Sequence, residues 1–554
     1  MCGIIVANTT LGNIDLDHRG PDHNAKLSRQ GWDFYHYRLS IQDLDARSNQ
    51  PFQKGDADSP ILVYNGEIYN SEYIRKKYLQ DVHLNTSSDT EILYELLSRY
   101  GVSKVHEIDG MFTFCCLMNN TLFIGRDRLG IKPLYIYDED GVVIISSEIS
   151  VIKSNLDLIV NEELIPEFIK YKYVGPCSTI YKNVRRLEPG VIELYENGKR
   201  KKICRYFSLQ QAKKLKEEWT SADLEILNST LKHSINSQLI SDVPIGTQLS
   251  GGIDSTLIRH EVPSNVPSFS SIFGEEYVYD EFNYIKEVLK KTNSQTVTIK
   301  FSKAYFQEHI LKLFKNTGGV NHPHTLAIVQ IANDACQKGI KVLLSGEGAD
   351  ELFFGYIRYR NVKSVNDVVE NAKFYTNKQL EQVFDFSSLK EPDPDKSRLA
   401  FLVDYKDYEI KEQLRLLEIR FHLQNLLERY DWASMQNSIE GRVPFLSNDM
   451  LALALSYSTD SMNIDNRLKY PLKALLHDRY NEDFIYRSKV GYRVPFNEWM
   501  REVWFKELIL DGINKPLVKK FVRKEILNDI IQNRIKDDEL LGRLYWTIIN
   551  LAHL

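Results

Sequence analysis

Pro244-Ile245-Gly246-Thr247-Gln248-Leu249-Ser250-Gly251-Gly252-Ile253-Asp254-Ser255-Thr256-Leu257-Ile258 decides the fold of the larger part of this chain. Its first six residues read as a short buried strand, and residues 255–258 open a helix. Between them lies a strand-to-helix turn with two adjacent glycines. Without Cβ atoms, backbone N–H groups there can approach an anion closely. The helix N-terminus adds the positive end of a dipole. Ser250 and Ser255 contribute hydroxyls, and Asp254 is the kind of oxygen donor that magnesium takes. Gly-Gly alone marks an ordinary turn; the whole unit is more specific.

The same pattern continues downstream. Residues 267–274, 295–299 and 339–344 read as further strands, with helical stretches between them, and residues 224–239 as an amphipathic helix ahead of the first. This alternation predicts a parallel sheet with helices on both faces. Such sheets bind ligands at the carboxyl ends of their strands. A second loop falls at such an end: Ser345-Gly346-Glu347-Gly348-Ala349-Asp350-Glu351 combines glycines with three carboxylates. Acidic residues there also suit a helix's first turn.

The first 150 residues read differently, as short alternating strands joined by turns. Cys2 directly follows the initiator methionine. With Met1 removed, its thiol sits beside a free α-amine whose ordinary pKa of about 7.7–8.0 makes it a base near neutrality. A thiol beside its own base is an activated nucleophile. Downstream come His18-Arg19-Gly20-Pro21-Asp22, Arg38-Leu39-Ser40-Ile41-Gln42, Asn65-Gly66-Glu67 after a strand, and a helix from Ser87-Ser88-Asp89 through Tyr100 with the serines as caps. Gly198-Lys199-Arg200-Lys201-Lys202 is a basic run beside a turn signal, expected at a solvated hairpin tip.

Composition narrows the class. The 554 residues are 43% apolar and 26% charged, with a net charge of −5, which suits at least two soluble domains. That balance lacks the electrostatic footprint of a nucleic-acid binder. No apolar run reaches membrane-spanning length, and the N-terminus does not read as a secretory signal. The six cysteines include no C-x-x-C pair, so neither a zinc site nor a disulfide framework is expected, and a cytoplasmic location is.

In combination these motifs resemble the glutamine-hydrolysing asparagine synthetases. Ser250-Gly251-Gly252-Ile253-Asp254-Ser255 is similar to the pyrophosphate-binding loop of ATP pyrophosphatases, and the set from Cys2 to Glu148 to the class II glutamine amidotransferase domain. The resemblance implies an α+β N-terminal nucleophile sandwich (αββα) over residues 1–207. An α/β parallel-sheet synthetase domain with added helices follows over 222–554. It implies that Cys2 is the nucleophile and that Asn65 and Gly66 form the oxyanion hole. Residues 38–42 (Arg38, Leu39, Ser40, Ile41, Gln42), with Glu67 and Asp89, would hold glutamine: Arg38 at its carboxylate, Asp89 at its α-ammonium. In the second domain it implies a nucleotide site of Leu249, Ser250, Gly251, Gly252, Asp254, Ser255, Phe273, Ser345 and Gly346. Asp254 and Asp350 would hold Mg2+, Glu347 would assist adenylate formation, and Lys469 of Lys469-Tyr470-Pro471-Leu472-Lys473 would meet the β and γ phosphates. The substrates implied are glutamine, ATP and aspartate, with no nucleic acid or membrane partner; a homodimer stays open. So do amidation of another carboxylate and a catalytically silent binding protein. Residues 437–446 match a signature segment near the acceptor, and 489–495 with Trp499 a closing motif. Two departures stand out. The stretch between Val6 and His18 is short for the family, and residues 316–326, ahead of a helix, are less like the aspartate enzymes.

Overall fold

Period-two alternation governs the first part of the computed structural model, which describes residues 2–56, 58–210, 214–273, 281–317, 322–487 and 494–554 (backbone only at 315–317). Eleven strands form two antiparallel sheets: β1 (Gly3–Ala7), β2 (His23–Arg29), β3 (Trp32–Arg38), β4 (Ile61–Ile68), β5 (Gly110–Met118), β6 (Thr121–Arg126), β7 (Tyr135–Glu139), β8 (Val142–Ser146), β9 (Val184–Arg186), β10 (Val191–Glu196) and β11 (Lys199–Arg205). Their orders are β2-β3-β1-β8-β7-β9 and β11-β10-β6-β5-β4. Ile4 and Val6 of β1, Val63 of β4, and Cys115 and Leu117 of β5 meet between the sheets. Leu62, Tyr64, Phe114 and Cys116, one residue out of phase, instead meet α1 (Ser71–Tyr78) and α2 (Asp89–Tyr100). On the other side, Ile5, Tyr35 and Ile144 pack with Ile152 and Ile169 of α3 (Ile149–Asn155) and α4 (Ile165–Tyr171). The result is the αββα sandwich that the resemblance implied.

Two local expectations are refined. The basic run after Gly198 is not a hairpin tip. Asn197 and Gly198 make the turn with φ of 50° and 70°, and the lysines run along β11. A charged, exposed β11 at the sheet's edge discourages pairing with another chain. Between Val6 and His18 no helix forms, as the short spacing required.

The second part is built as α5 (Ser221–Ser237), β12 (Ile245–Gln248), α6 (Ile253–Glu261), β13 (Ser268–Ile272), α7 (Phe282–Thr292), β14 (Thr296–Lys300), α8 (Lys303–Thr317), α9 (Thr325–Gln337), β15 (Val342–Leu344) and α10 (Ala349–Leu352), followed by mostly helical chain. Thr220 and Asp223 close a reciprocal capping box that starts α5. The sheet is parallel, in the order β14-β13-β12-β15-β16, where β16 is Glu440–Arg442. From β12 the chain winds outward to β13 and β14, then returns to the other side of β12 as β15. The crevice between β12 and β15 is therefore a topological switch point, where open α/β sheets bind ligands. The loops after both strands open into it. β16 carries no strand signal in the sequence, where residues 437–446 read only as a motif; three residues are too few to display a period.

Candidate active sites

The first site lies at the end of β1. The Cys2 backbone N–H donates to Asn65 Oδ1 at 2.8 Å. The other end of that side-chain amide, Nδ2, is buried without a hydrogen-bond partner among the described residues. Gly66, beside it, has φ of +156°, and a Cβ there would lie 2.1 Å from the Met111 carbonyl on β5. Close strand approach thus requires glycine at this position. Cys2, Arg38, Gly66, Glu67 and Asp89 line a small cavity of about 30 Å3, with Leu39, Ile41 and Gln42.

Each polar wall is fixed by neighbours. Arg38 donates to Asn49 Oδ1 at 2.7 Å, to the Asp45 carbonyl at 3.0 Å, and to the Asp43 carbonyl. Asp89 Oδ2 accepts from the Tyr64 hydroxyl and the Ile68 N–H, both at 2.9 Å. Burial outweighs those bonds and pushes the Asp89 carboxyl up to about 6. Glu67 accepts from the Gln42 amide. Its carboxyl is raised well above the usual range by burial and by Glu440. Burial also raises the Cys2 thiol, against the amino-terminal charge, the Leu39 N–H and Arg38. A buried thiol held in its protonated form needs a base to become a nucleophile.

The second site is larger, about 250 Å3, and opens at the switch point. Leu249, Ser250, Gly252, Asp254 and Ser255 line one side, and Ser345, Gly346, Glu347 and Asp350 the other. Ser250 and Ser255 hold the turn shut: their hydroxyls lie 3.1 Å apart, and Ser255 Oγ donates to the Gly252 carbonyl at 3.2 Å. Lys469 reaches in from 215 residues downstream. Its Nζ lies 2.7 Å from both Asp254 oxygens and 2.7 Å from Asp350 Oδ1. Lys469 has φ of 59°, and the chain tightens further at Gly355, where a Cβ would lie 2.0 Å from Asp350 Oδ1. Glu351, buried beside Asp350, is pushed up to about 8 and accepts from the Tyr356 hydroxyl at 2.7 Å. Glu347 Oε1 lies 3.8 Å from Arg429, which bonds His324 at 2.6 Å.

Arg442 touches both sites. Its carbonyl accepts the Ser345 N–H at 2.8 Å, at the root of the second loop. Its guanidinium lies 2.6 Å from Glu440 and 3.5 Å from Glu67 in the first cavity. Nearby, Arg19 bridges the two parts of the chain: it donates to the Cys2 carbonyl at 3.3 Å and pairs with Glu148 at 3.1 Å and Asp431 at 3.0 Å. Lys132 lies 3.6 Å from Asp431.

These two sites coincide with the two regions that comparison with known proteins picks out. The family model described as asparagine synthase matches residues 227–554, and the one described as glutamine amidotransferase domain matches 1–207. The chain belongs to the asparagine synthase family. Among its relatives, asparagine synthetase [glutamine-hydrolyzing] 1 of Bacillus subtilis is 25% identical, covering 97% of this chain and 91% of its own length. Putative asparagine synthetase [glutamine-hydrolyzing] 2 of Methanocaldococcus jannaschii is 29% identical, covering 65% of this chain and 75% of its own. A solved structure of glutamine phosphoribosylpyrophosphate amidotransferase from B. subtilis aligns at 12% identity and a TM-score of 0.30, over 54% of this chain and 91% of that one.

In this asparagine synthase-family chain, not every expected residue reaches its site. Ser40 is not among the cavity-lining residues described; its N–H donates to Asp22 Oδ2 at 2.7 Å, in the loop after β3, where Leu39 and Ile41 line the cavity. Gly251 turns its carbonyl to Arg487 at 2.8 Å and lies outside the nucleotide cavity's described lining. Phe273 packs edge-on against Phe301 in the core, 6.1 Å between centroids, and is likewise absent from that lining. Its expected place is taken by Phe269, Ile328 and Ile331. Residues 489–493 of the closing motif and 318–321 of the acceptor segment lie outside the described residues. Gln50, in irregular chain before Pro51, lines the first cavity without any sequence signal, and Tyr64 and Thr90 line it as flanking residues of the Asn65-Gly66 and Ser88-Asp89 stretches. Arg487 and Glu281, which pair across the second, each flank a helix and belong to no sequence motif.

Proposed function

We propose that this protein makes asparagine from aspartate, glutamine and ATP. The observation that carries the reading is Lys469 locked between Asp254 and Asp350 at the mouth of the Ser250–Ser255 loop. A fixed cation and two carboxylates at a helix N-terminus suit a pyrophosphate leaving group and its metal. We divide the chain into a glutaminase part, residues 1–207, and a synthetase part, residues 222–554.

With Met1 removed, the Cys2 α-amine takes the thiol proton and Sγ attacks the glutamine amide carbon. Asn65 Nδ2 and the Gly66 N–H steady the oxyanion, Arg38 holds the α-carboxylate, and Asp89 the α-ammonium. Ammonia leaves, and water hydrolyses the thioester to glutamate. In the second site an aspartate β-carboxylate oxygen attacks the ATP α-phosphorus and expels pyrophosphate, on which Lys469 neutralises charge. Asp254 and Asp350, hard oxygen donors that here pair with the Lys469 ammonium, are the residues that would hold magnesium. Bound there, the ion would supply charge neutralisation on the phosphates. Glu347 orients the carboxylate. Ammonia then attacks the acyl carbon, and AMP departs. Ammonia exposed to bulk water would be protonated, so it passes inside the protein from the first site to the second. A cytoplasmic location suits six cysteines that form no disulfide.

The test is product stoichiometry with ATP, Mg2+, glutamine and aspartate. Equal amounts of AMP, pyrophosphate and asparagine are expected; ADP would overturn the mechanism. Cys2→Ala should abolish glutamine-driven synthesis while ammonium chloride still drives it at the wild-type rate.

A further inference from the structure

The loop after β3 has a hub at Asp43. The Asp43 carbonyl accepts from the Arg38 guanidinium. Its carboxylate accepts the Asp45 N–H at 3.1 Å and, through Oδ2, the Ser87 N–H at 2.7 Å and the Ser87 hydroxyl at 3.2 Å. Ser87 leads directly into Ser88, the cap of α2, and Asp89, its first residue. One residue thus fixes Arg38 on one side of the first cavity and the approach to Asp89 on the other. These are the residues proposed for glutamine's α-carboxylate and α-ammonium.

Asp43 does this in a conformation that a free chain disfavours. Its φ is 49°, in the left-handed region that aspartate visits at a cost. Such a backbone persists where its surroundings fix it. Part of the fixing comes from Asp242, 199 residues away, whose Oδ2 accepts the Asp43 N–H at 2.7 Å. The Asp242 N–H in turn donates to the Ile41 carbonyl at 2.9 Å. These two bonds bracket Gln42, and both Ile41 and Gln42 line the cavity. A second tie lies at the start of the loop. Asp22 Oδ2 accepts the Ser40 N–H and also lies 2.7 Å from the Lys341 ammonium, and the Asp22 N–H donates to the Arg38 carbonyl at 3.0 Å.

Both ties come from the synthetase part. Asp242 stands three residues before β12, and Lys341 immediately before β15. The Lys341 N–H donates to the Pro244 carbonyl at 3.1 Å, so the two anchors are joined. The far ends of the same two strands carry the loops of Ser250 and Ser345. We propose that Asp242 is a positioning residue of the glutamine site, acting through Asp43 on Arg38 and Asp89. Affinity for glutamine is then set in part by a side chain of the synthetase half. Asp242 is exposed, so water can take its place at the Asp43 N–H without unfolding the chain. What its loss releases is the position of the loop. The inference rests on the proposed roles of Arg38 and Asp89.

The experiment measures glutamine hydrolysis by the full-length protein. Asp242→Ala should raise the KM for glutamine by about 10-fold, the scale of one charge-assisted hydrogen bond shared with water. Its kcat should stay within about twofold, because the lost contact serves ground state and transition state alike. Asp242→Asn keeps an acceptor oxygen for the Asp43 N–H and should restore most of the affinity. In both variants the melting temperature should stay within about 2 °C of the wild type's, as for a surface substitution. Synthesis driven by ammonium chloride should be unchanged. A glutamine KM unmoved by Asp242→Ala, an Asn variant no better than the Ala variant, or a kcat that falls together with ammonia-driven synthesis overturns the inference. Asp89→Asn, assayed in parallel, separates this from the reading beneath it. If Asp89→Asn raises the glutamine KM and Asp242→Ala does not, the inference alone falls. If neither does, the proposed glutamine site falls and takes the inference with it.

Discussion

Asp89 illustrates what a buried acid can do at the scale of one residue. Its folded-state pKa of about 6 lies above the ordinary carboxylate value of 3.8. Between the two, the folded protein keeps a proton that the unfolded chain has lost. Its contribution to stability is therefore fully present below the ordinary value and is lost as pH rises through about 6. Glutamine's α-ammonium, its proposed partner, would reverse that loss by favouring the ionised form. Asp89→Asn keeps one oxygen for the Tyr64 and Ile68 donors, which both meet Oδ2. Thermal unfolding should show the variant more stable than wild type at pH 7.5 and equal to it near pH 4. Its glutamine KM should rise by about 10- to 100-fold. A variant less stable at both pH values would contradict the assignment of burial as the dominant cause.

At the scale of elements, the two loops at the switch point depend on tight turns. Gly355 follows α10 and lies against Asp350 and Lys469, whose Cε would be 2.3 Å from a Cβ. Gly355→Ala must displace one of them. Pyrophosphate release should drop by about 100-fold or more, the typical cost of misplacing a charged group in such a site. Glutamine hydrolysis, in the other sheet system, should continue; equal loss of both would show the whole fold to be at fault. These loops were legible because each is a contiguous run of glycine, hydroxyl and acid after an apolar strand. Cys2, Asn65 and Gly66 were legible through their order along the chain. What was hidden is what the chain brings together from afar. Nothing near Glu67 announces Arg442, 375 residues later. Lys469 was visible as a motif lysine, but its left-handed backbone and its grip on two aspartates were not. Phe273 shows the converse: an apolar residue beside a site has two uses, and pattern alone does not choose between them.

At the scale of the whole molecule, Arg442 ties the two chemistries together. Its carbonyl anchors Ser345, and its guanidinium reaches Glu67 and Glu440. Lysine keeps the charge but not the planar fork that serves several acceptors at once. Arg442→Lys should therefore hydrolyse glutamine out of step with ATP use. Glutamate formed per pyrophosphate released should rise above the wild-type ratio, as measured in coupled assays of both products. An unchanged ratio would show that the link only holds the fold.

One feature of the parallel sheet has a practical outcome for anyone dissecting this protein. β16 ends the sheet, yet all three of its residues are buried. The glutaminase part reaches it through Lys132, whose ammonium lies 3.5 Å from the Gly441 carbonyl, and through Glu67. His18 accepts from Ser438, just before the strand, at 2.8 Å. Expressed without residues 1–207, the synthetase part would bare this margin to water, with Asp431 stripped of Arg19 and Lys132 and an open backbone ladder. Such a fragment should self-associate, and light scattering should show it growing with concentration, while the full chain keeps a constant mass. In that sense the nitrogen-supplying half doubles as a chaperone for its neighbour.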